Sequence, residues 1–355
     1  MVTLLTGNFY FPSHLYHQKA QQLLNYCMSE RAIDEPKFIV VIGTSAGGIR
    51  ALEELVTQLT PDMDAAFFIV LHLSRKGIGK YLFQRLQENT SLVCKIAEDR
   101  EPIRRGSIYI APPDEHLVLA RGHVIIGRGA PENRWRPSIN NLFRSAAAMY
   151  NARVIGIVLT GMLDDGTSGM ATIKRSGGLA IVQDPNEADH PDMPLSVLDN
   201  VSVDYTESLA NMGALLREII RNTDPVEVEV PYDVRVESAI DQRISTRIED
   251  VAQFEKAEIN CPDCGGGLYV TQKERPTHYR CHVGHSYSDR ELLIRMSEVM
   301  EGTFWTSLRM MEERRVMLLK LGKKDLERGY NTSAERHLQR AKEMEVHIEN
   351  LKQIL

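Results

Sequence analysis

The chain lacks any run of about 18 or more apolar residues, so its sequence offers no segment that could cross a bilayer as a helix. It also lacks an excess of positive charge. Its 42 Lys and Arg residues against 48 Asp and Glu residues give a formal net charge of −6, which argues against nucleic acid as the main partner. Residues 1–18 contain no basic segment followed by an apolar core, which is not the pattern of a secretory signal. We therefore expect a cytoplasmic protein without membrane insertion.

Cysteine is scarce, with five residues in 355, and three of them crowd into one segment together with histidines. Cys27 and Cys94 are isolated, so no disulfide framework is indicated. The pairs Cys-x-x-Cys and Cys-x-x-x-His in the crowded segment are typical of a closed, tetrahedral zinc site that supports folding and not catalysis. The predicted ligands are Cys261, Cys264, Cys281 and His285. His282 is a competing fourth ligand, although its adjacency to Cys281 makes chelation awkward, and His278 is less favoured.

Hydrophobic patterning divides the chain into five parts. From Lys37 short β-branched runs alternate with helical periodicity, which predicts an α/β domain with a doubly wound, mainly parallel sheet of the Rossmann-like kind. The predicted parts are an N-terminal extension (1–36), the α/β domain (37–222), a polar linker with short elements (223–257), a zinc-ribbon-like module (258–287) and an α-helical hairpin broken around Gly329 (288–355).

The turn Gly43-Thr44-Ser45-Ala46-Gly47-Gly48 lies between a buried strand and a helix. Such a strand–turn–helix exposes one serine hydroxyl over a helix N-terminus, where free N–H groups stabilise negative charge. A phosphate-binding loop or a simple packing turn would give the same local pattern.

Two further polar residues follow buried strands. His72 ends the apolar run 65–71, and Asp165 lies in Thr160-Gly161-Met162-Leu163-Asp164-Asp165-Gly166 after the run 154–159. Because parallel strands end at one sheet edge, we expect Ser45, His72 and Asp165 to meet there as nucleophile, base and orienting carboxylate. Taken singly, His72 is more often a structural residue, and the aspartate pair suits a turn or a magnesium site. The chain order Ser, His, Asp differs from that of α/β-hydrolases.

Over residues 37–222 the sequence resembles the CheB chemotaxis protein-glutamate methylesterases. The resemblance rests on six motifs: Val-Ile-Gly-Thr-Ser-Ala-Gly-Gly (41–48), Val-Leu-His-Leu (70–73), Tyr-Ile-Ala-Pro-Pro-Asp-Glu-His-Leu (109–117), Arg-Pro-Ser-Ile-Asn-Asn-Leu-Phe (136–143), Leu-Thr-Gly-Met-Leu-Asp-Asp-Gly (159–166) and Met-Pro (193–194).

The resemblance implies a serine esterase that hydrolyses glutamate γ-methyl esters on methyl-accepting chemoreceptors, releases methanol through an acyl-enzyme and also deamidates glutamine. It implies Ser45, His72 and Asp165 as the triad, with no cofactor needed for catalysis. The implied oxyanion and substrate positions are Thr44, Ala46, Gly47, Gly161 and Met162. Other chemosensory signalling proteins are further candidate partners. The 36 residues before the domain cannot hold the receiver domain of better-known members, which predicts a standalone form.

Two other functions fit the sequence less well. The fold could serve as a non-catalytic signalling scaffold, although all three catalytic residue types are retained. A general serine hydrolase acting on small esters would turn over small-molecule esters and no methylated receptor.

Overall fold

The structure is a computed structural model, and it describes residues 35–72, 78–241, 254–272 and 277–355. The predicted extension (1–36), with Cys27, lies outside the described residues except for its last two positions. No helix among the described residues is long and apolar enough to cross a membrane.

A central sheet of seven parallel strands carries the first domain, with the spatial order β3-β4-β2-β1-β7-β8-β9. The strands are β1 (Phe38–Thr44), β2 (Ala65–Leu71), β3 (Val93–Ile96), β4 (Ser107–Ile110), β7 (Val154–Val158), β8 (Leu179–Gln183) and β9 (Tyr205–Glu207). An antiparallel hairpin, β5 (His116–Ala120) and β6 (His123–Gly127), lies outside this sheet. The predicted doubly wound parallel sheet is confirmed.

Helices cover both faces of the sheet. They are α1 (Gly48–Val56), α2 (Ile78–Glu88), α3 (Ile139–Tyr150), α4 (Thr167–Arg175), α5 (Asp192–Asn200) and α6 (Leu209–Asn222), with a short 3₁₀ turn at Asn151–Arg153. Alternate β1 residues point to opposite faces: Phe38, Val40 and Ile42 join the core under α1, α2 and α6, and Ile39 and Val41 join the core under α3, α4 and α5. Burial on both faces explains why β1 is apolar throughout.

The chain leaves β1 toward β2 on one side and later returns to β7 on the other. This reversal of strand order opens a crevice at the carboxyl ends of the strands, where ligands bind in open α/β sheets. Thr44 pairs with Leu71 and Gly43 with Val158, so the residues that follow all three strands lie side by side.

A second sheet of four antiparallel strands follows the first domain. Its strands are β10 (Glu255–Asn260), β11 (Gly267–Gln272), β12 (His278–Cys281) and β13 (Ser286–Ser288), in sequential order. It begins three residues before the predicted module start. Its core is small and contains Leu268, Tyr287 and Leu292 beside two cysteines.

Two long helices, α8 (Asp289–Glu327) and α9 (Asn331–Lys352), form the predicted hairpin, and the break falls at the predicted Gly329. Leu308 and Gly322 of α8 are buried on the side of Ala334, Ala341 and Ile348 of α9. A Cβ on Gly322 would lie 3.0 Å from Leu338, so the two helices approach closely there.

The predicted linker contains a helix, α7 (Tyr232–Asp241), which packs against α3 of the first domain. Between α3, α7 and the second sheet lies a cluster of buried charged side chains, named here the buried charge cluster. Its members are Glu132, Arg144, Glu237, Asp241, His278 and Arg280. Burying so many charges is tolerable only when each is paired, so this contact commits the second sheet to one position on the first domain.

Candidate active site

Ser45 lies in the turn between β1 and α1. Gly47 caps α1 in the left-handed region (φ 78°), and a Cβ there would lie 2.9 Å from the Asp189 side chain, so glycine is needed on both counts. The Ser45 N–H donates to the Thr160 carbonyl (3.1 Å), which fixes the turn to the segment that follows β7.

His72 follows β2, and its side chain is almost fully buried. Its Nε2 lies 2.8 Å from Asp165 Oδ2, while Nδ1 is buried without a partner among the described residues. An ionised carboxylate only accepts, so the Nε2 nitrogen carries the proton and Nδ1 presents its lone pair. This is the form in which an imidazole acts as a base.

Asp165 is 2% exposed and is surrounded by hydrogen-bond donors. Besides His72, the N–H groups of Ile139 (2.8 Å), Gly166 (3.0 Å) and Asn140 (3.3 Å) donate to its two oxygens. Ile139 and Asn140 begin α3, so the carboxylate occupies a helix N-terminus, where negative charge is favoured. Ser138 is the N-cap residue of α3 and makes no side-chain cap bond; its Oγ instead donates to Asp165 (3.3 Å).

The neighbouring Asp164 points elsewhere. The Ser288 hydroxyl, at the end of the second sheet, donates to its Oδ2 (2.6 Å). Burial raises the pKa of Asp164, and the Ser288 hydrogen bond opposes that shift. The structure therefore brings Asp165, and not Asp164, to His72, and the two carboxylates do not converge as the magnesium alternative would need.

The five predicted oxyanion and substrate positions differ in whether their hydrogen-bond donors already have an acceptor. The Thr44 hydroxyl is fully buried and donates to the Thr160 carbonyl (2.8 Å), and the Gly161 N–H donates to the His190 carbonyl (2.9 Å), so both donors are engaged. The N–H groups of the other three positions have no acceptor among the described residues. Those positions are Ala46, Gly47 and Met162.

Gly161 also has a steric role. A Cβ at this position would lie 2.1 Å from the Met193 sulfur and 3.0 Å from the Ser45 Cβ. The backbone after β7 thus passes directly against the Ser45 side chain.

Ser45 and His72 line one cavity of about 420 Å³. Two ion pairs lie at its rim: Arg50 with Asp189 (2.7 Å) and Arg85 with Glu53 (2.6 Å). A half-buried serine at a cavity, together with a buried imidazole lone pair and N–H groups that have no partner among the described residues, supplies the parts that acyl transfer requires.

Comparisons with known proteins agree with this geometry. Residues 40–216 match the family model described as CheB methylesterase. A Leptospira interrogans protein, provisionally named protein-glutamate methylesterase/protein-glutamine glutaminase, is 37% identical over 184 residues, which cover 52% of this chain and 95% of that protein. The chain belongs to the CheB methylesterase family. The crystal structure of the Thermotoga maritima CheB methylesterase catalytic domain is 33% identical to it, with a TM-score of 0.50, and the match covers 51% of this chain and 98% of that one.

A Methanosarcina mazei protein named protein-glutamate methylesterase/protein-glutamine glutaminase 2 is 35% identical over 191 residues. The match covers about half of each chain, 52% in both cases. The residues that match the family model lie within the first domain. The second sheet and the hairpin lie outside the matched CheB methylesterase model.

The predicted metal ligands lie together in the second sheet, with all four ligand atoms within 4.8 Å of one another. Sγ of Cys264 and Cys281 are 3.7 Å apart, and Nδ1 of His285 lies 3.7 Å from Cys261 Sγ and 3.6 Å from Cys281 Sγ. A tetrahedral Zn²⁺, with bonds of about 2.3 Å to sulfur and about 2.0 Å to nitrogen, needs ligand atoms about 3.5–3.8 Å apart. The donor set fits zinc, and these three distances match the spacing that zinc needs.

The competing histidines lie elsewhere. His282 packs beside Gly266, and His278 belongs to the buried charge cluster, with Nε2 3.0 Å from Glu132 and Nδ1 3.3 Å from Glu237. Burial alone would lower the pKa of His278, but the two carboxylates outweigh it and raise the pKa to about 9. His278 is therefore a charged partner inside the cluster.

Sequence reasoning missed one contact of the active site. The indole of Trp135 stacks on the His72 imidazole, with ring centroids 4.1 Å apart and planes 6° from parallel. Trp135 directly precedes the motif that begins at Arg136, and that adjacency was the available signal.

Proposed function

We propose that this protein is a protein-glutamate methylesterase in which Ser45, His72 and Asp165 act as a triad. One observation carries the assignment of roles. His72 donates from Nε2 to Asp165 and keeps a buried Nδ1 that has no partner in the described part of the chain, on a ring that lines the same cavity as Ser45.

In the first step Ser45 Oγ attacks the γ-carbonyl carbon of a glutamate methyl ester while His72 Nδ1 takes the hydroxyl proton. The tetrahedral intermediate places its negative oxygen near the unengaged N–H groups of Ala46, Gly47 and Met162. When the carbon–oxygen bond to the methoxy group breaks, His72 returns the proton and methanol leaves. Water then attacks the acyl-enzyme by the same path and yields a free glutamate carboxylate and the restored serine.

The substrate in this proposal is a methylated chemoreceptor. The family match and the names of the relatives support a methylated protein substrate, and those names also support hydrolysis of glutamine side chains. On glutamine the same attack releases ammonia in place of methanol. Other chemosensory proteins remain candidate partners, and nucleic acid is not part of the proposal.

We also assign a structural Zn²⁺ to Cys261, Cys264, Cys281 and His285, because four ligands at tetrahedral spacing leave no open position for a substrate. The Tyr287 hydroxyl lies 3.4 Å from Cys261 Sγ and donates to Asp263, so the ligand has an ordered outer shell. None of the four described cysteines forms a disulfide, which supports a reducing, cytoplasmic setting.

The test is methanol release from methylated chemoreceptor by the intact protein, by Ser45→Ala and by a matched serine control, Ser297→Ala on the exposed face of α8. We expect release by the intact protein and the control, and a loss on the order of 10³-fold or more in Ser45→Ala, since removing a triad nucleophile costs up to about 10⁶ in rate. Equal release by Ser45→Ala would remove the proposed mechanism. No release by any of the three would favour the scaffold function, and turnover of small esters alone would favour a general serine hydrolase.

A further inference from the structure

Two contacts constrain the His72 imidazole in different ways: its hydrogen bond to Asp165 and the stacked indole of Trp135. The bond from Nε2 to Asp165 fixes one ring atom and leaves the ring free to rotate about that contact. An aromatic face 4.1 Å away and nearly parallel fixes the plane of the ring. With both contacts in place, the direction of the Nδ1 lone pair is determined.

The turn that carries Trp135 has an unfavourable backbone conformation. Glu132 and Trp135 pair through their backbones (3.2 and 2.8 Å), and the two residues between them adopt positive φ angles, 47° at Asn133 and 67° at Arg134. Such angles are unfavourable for residues other than glycine, although asparagine tolerates them better than most.

The second sheet supports this turn. The Asn133 N–H donates to the Ser286 carbonyl (2.9 Å), and the Ser288 N–H donates to Asn133 Oδ1 (3.0 Å). Glu132 is also locked by two ion pairs in the buried charge cluster, to Arg144 (2.5 Å) and to His278 (3.0 Å). These contacts tie the position of Trp135 to a sheet that lies outside the CheB methylesterase match.

We propose that Trp135 is a positioning residue for His72, and that the second sheet holds it there through Asn133. This inference rests on the proposed function, because it concerns the ring that acts as the base. It gives the second sheet a part in ester hydrolysis without any contact with the substrate.

The kinetic test compares Trp135→Ala and Trp135→Phe with Trp305→Phe, a matched control at the other tryptophan of the chain, which is half exposed on α8. A misplacement of about 1 Å costs on the order of 100-fold in rate. We expect kcat for the methyl ester to fall about 10- to 100-fold in Trp135→Ala with KM within about twofold. Trp135→Phe keeps an aromatic face and recovers most of the loss. An unchanged kcat, or a loss confined to KM, would overturn the proposal.

A second measurement does not depend on activity. In Trp305→Phe, Trp135 is the only tryptophan left, so its fluorescence reports on the stack. Replacing His72 by alanine, or Asn133 by glycine, which tolerates the positive φ but removes the side-chain acceptor, should shift that emission. Emission unchanged by both substitutions would refute the positioning role. A protein that releases no methanol but shows both shifts would refute the proposed function and leave the role of Trp135 intact.

Discussion

The adjacent aspartates Asp164 and Asp165 allow a sharp test of the active site. Replacement by asparagine should strongly lower kcat at Asp165 and leave kcat nearly unchanged at Asp164. In Asp165→Asn one carboxylate oxygen becomes an NH₂ group that no longer accepts. An NH₂ group at Oδ1 would face the N–H groups of Gly166 and Asn140, whereas at Oδ2 it would face only the Ile139 N–H besides His72. The Gly166 N–H also donates to Asn140 Oδ1 (3.0 Å), so each orientation leaves one buried N–H, that of Asn140 or that of Ile139, without this acceptor, at a cost of about 1–3 kcal/mol.

Either orientation removes the negative charge that stabilises the imidazolium, and an NH₂ group at Oδ2 also forces His72 into the wrong tautomer. The amide then donates to Nε2, the imidazole proton moves to Nδ1, and the ring has no lone pair for the Ser45 hydroxyl. The corresponding substitution in a serine protease lowers kcat by about 10⁴. For Asp165→Asn we expect a similar loss of kcat, together with a free energy of unfolding lowered by about 1–3 kcal/mol.

Asp164→Asn is the matched control. Its Oδ2 accepts the Ser288 hydroxyl and no other donor within the described ranges, and an asparagine oxygen can accept the same bond. We expect kcat within about threefold of the unmodified protein and no loss of stability, because the change removes a buried carboxylate whose pKa is raised by burial. Both quantities follow from methanol-release kinetics and urea unfolding. Equal kinetic losses in the two variants, or full activity in Asp165→Asn, would refute the assignment.

Two further predictions concern the second sheet. The pKa of His278 is raised to about 9 against an ordinary value near 6.5, so its contribution to stability is complete below about pH 6.5 and is lost as the pH rises through 9. We expect the free energy of unfolding to fall by about 3 kcal/mol over that window, and His278→Gln, with no proton to lose, to abolish the fall. For the metal site, we expect elemental analysis to find one equivalent of zinc per chain in the unmodified protein and none in Cys264→Ser, whereas Cys94→Ser, at a buried position of β3, should retain it. Zinc retained in Cys264→Ser, or none in the unmodified protein, would contradict the ligand assignment.

The parts of the active site that follow from local sequence were predictable. Ser45, His72 and Asp165 each follow an apolar run whose length and composition predict a buried strand, and parallel strands place their carboxyl ends at one edge. The zinc-ligand spacing is also local, since Gly284 (φ 108°) turns the chain so that the Cys281 N–H reaches the His285 carbonyl (3.0 Å).

Helix α5 contains Pro194, a residue type that disfavours the interior of a helix. The proline lies in the first turn of the helix, where its missing N–H has no intrahelical partner to lose, so the helix forms.

Contacts between distant segments were out of reach of the sequence. Nothing near Arg144 indicates that Asp241, 97 residues later, will pair with it (2.7 Å). The motif next to Trp135 draws attention to that residue but does not indicate that a ring 63 positions earlier lies against it. Such contacts depend on how the second sheet docks, and a segment predicted as a linker supplies part of that docking through α7.

Because the second sheet docks on the first domain, removal of the C-terminal part of the chain would also disturb the first domain. Without α7 and the second sheet, Arg144 would lose Asp241 and Glu237, and Asp164 would lose the Ser288 hydroxyl. Buried charges deprived of their partners are strongly destabilising, by about 3–5 kcal/mol for a broken pair. A truncated protein with low activity would therefore not show that the hairpin recruits the substrate. Point substitutions that keep every buried charge paired, such as Asn133→Gly, separate support of the active site from recruitment, because they alter the turn that carries Trp135 and leave the surface of α8 and α9 unchanged.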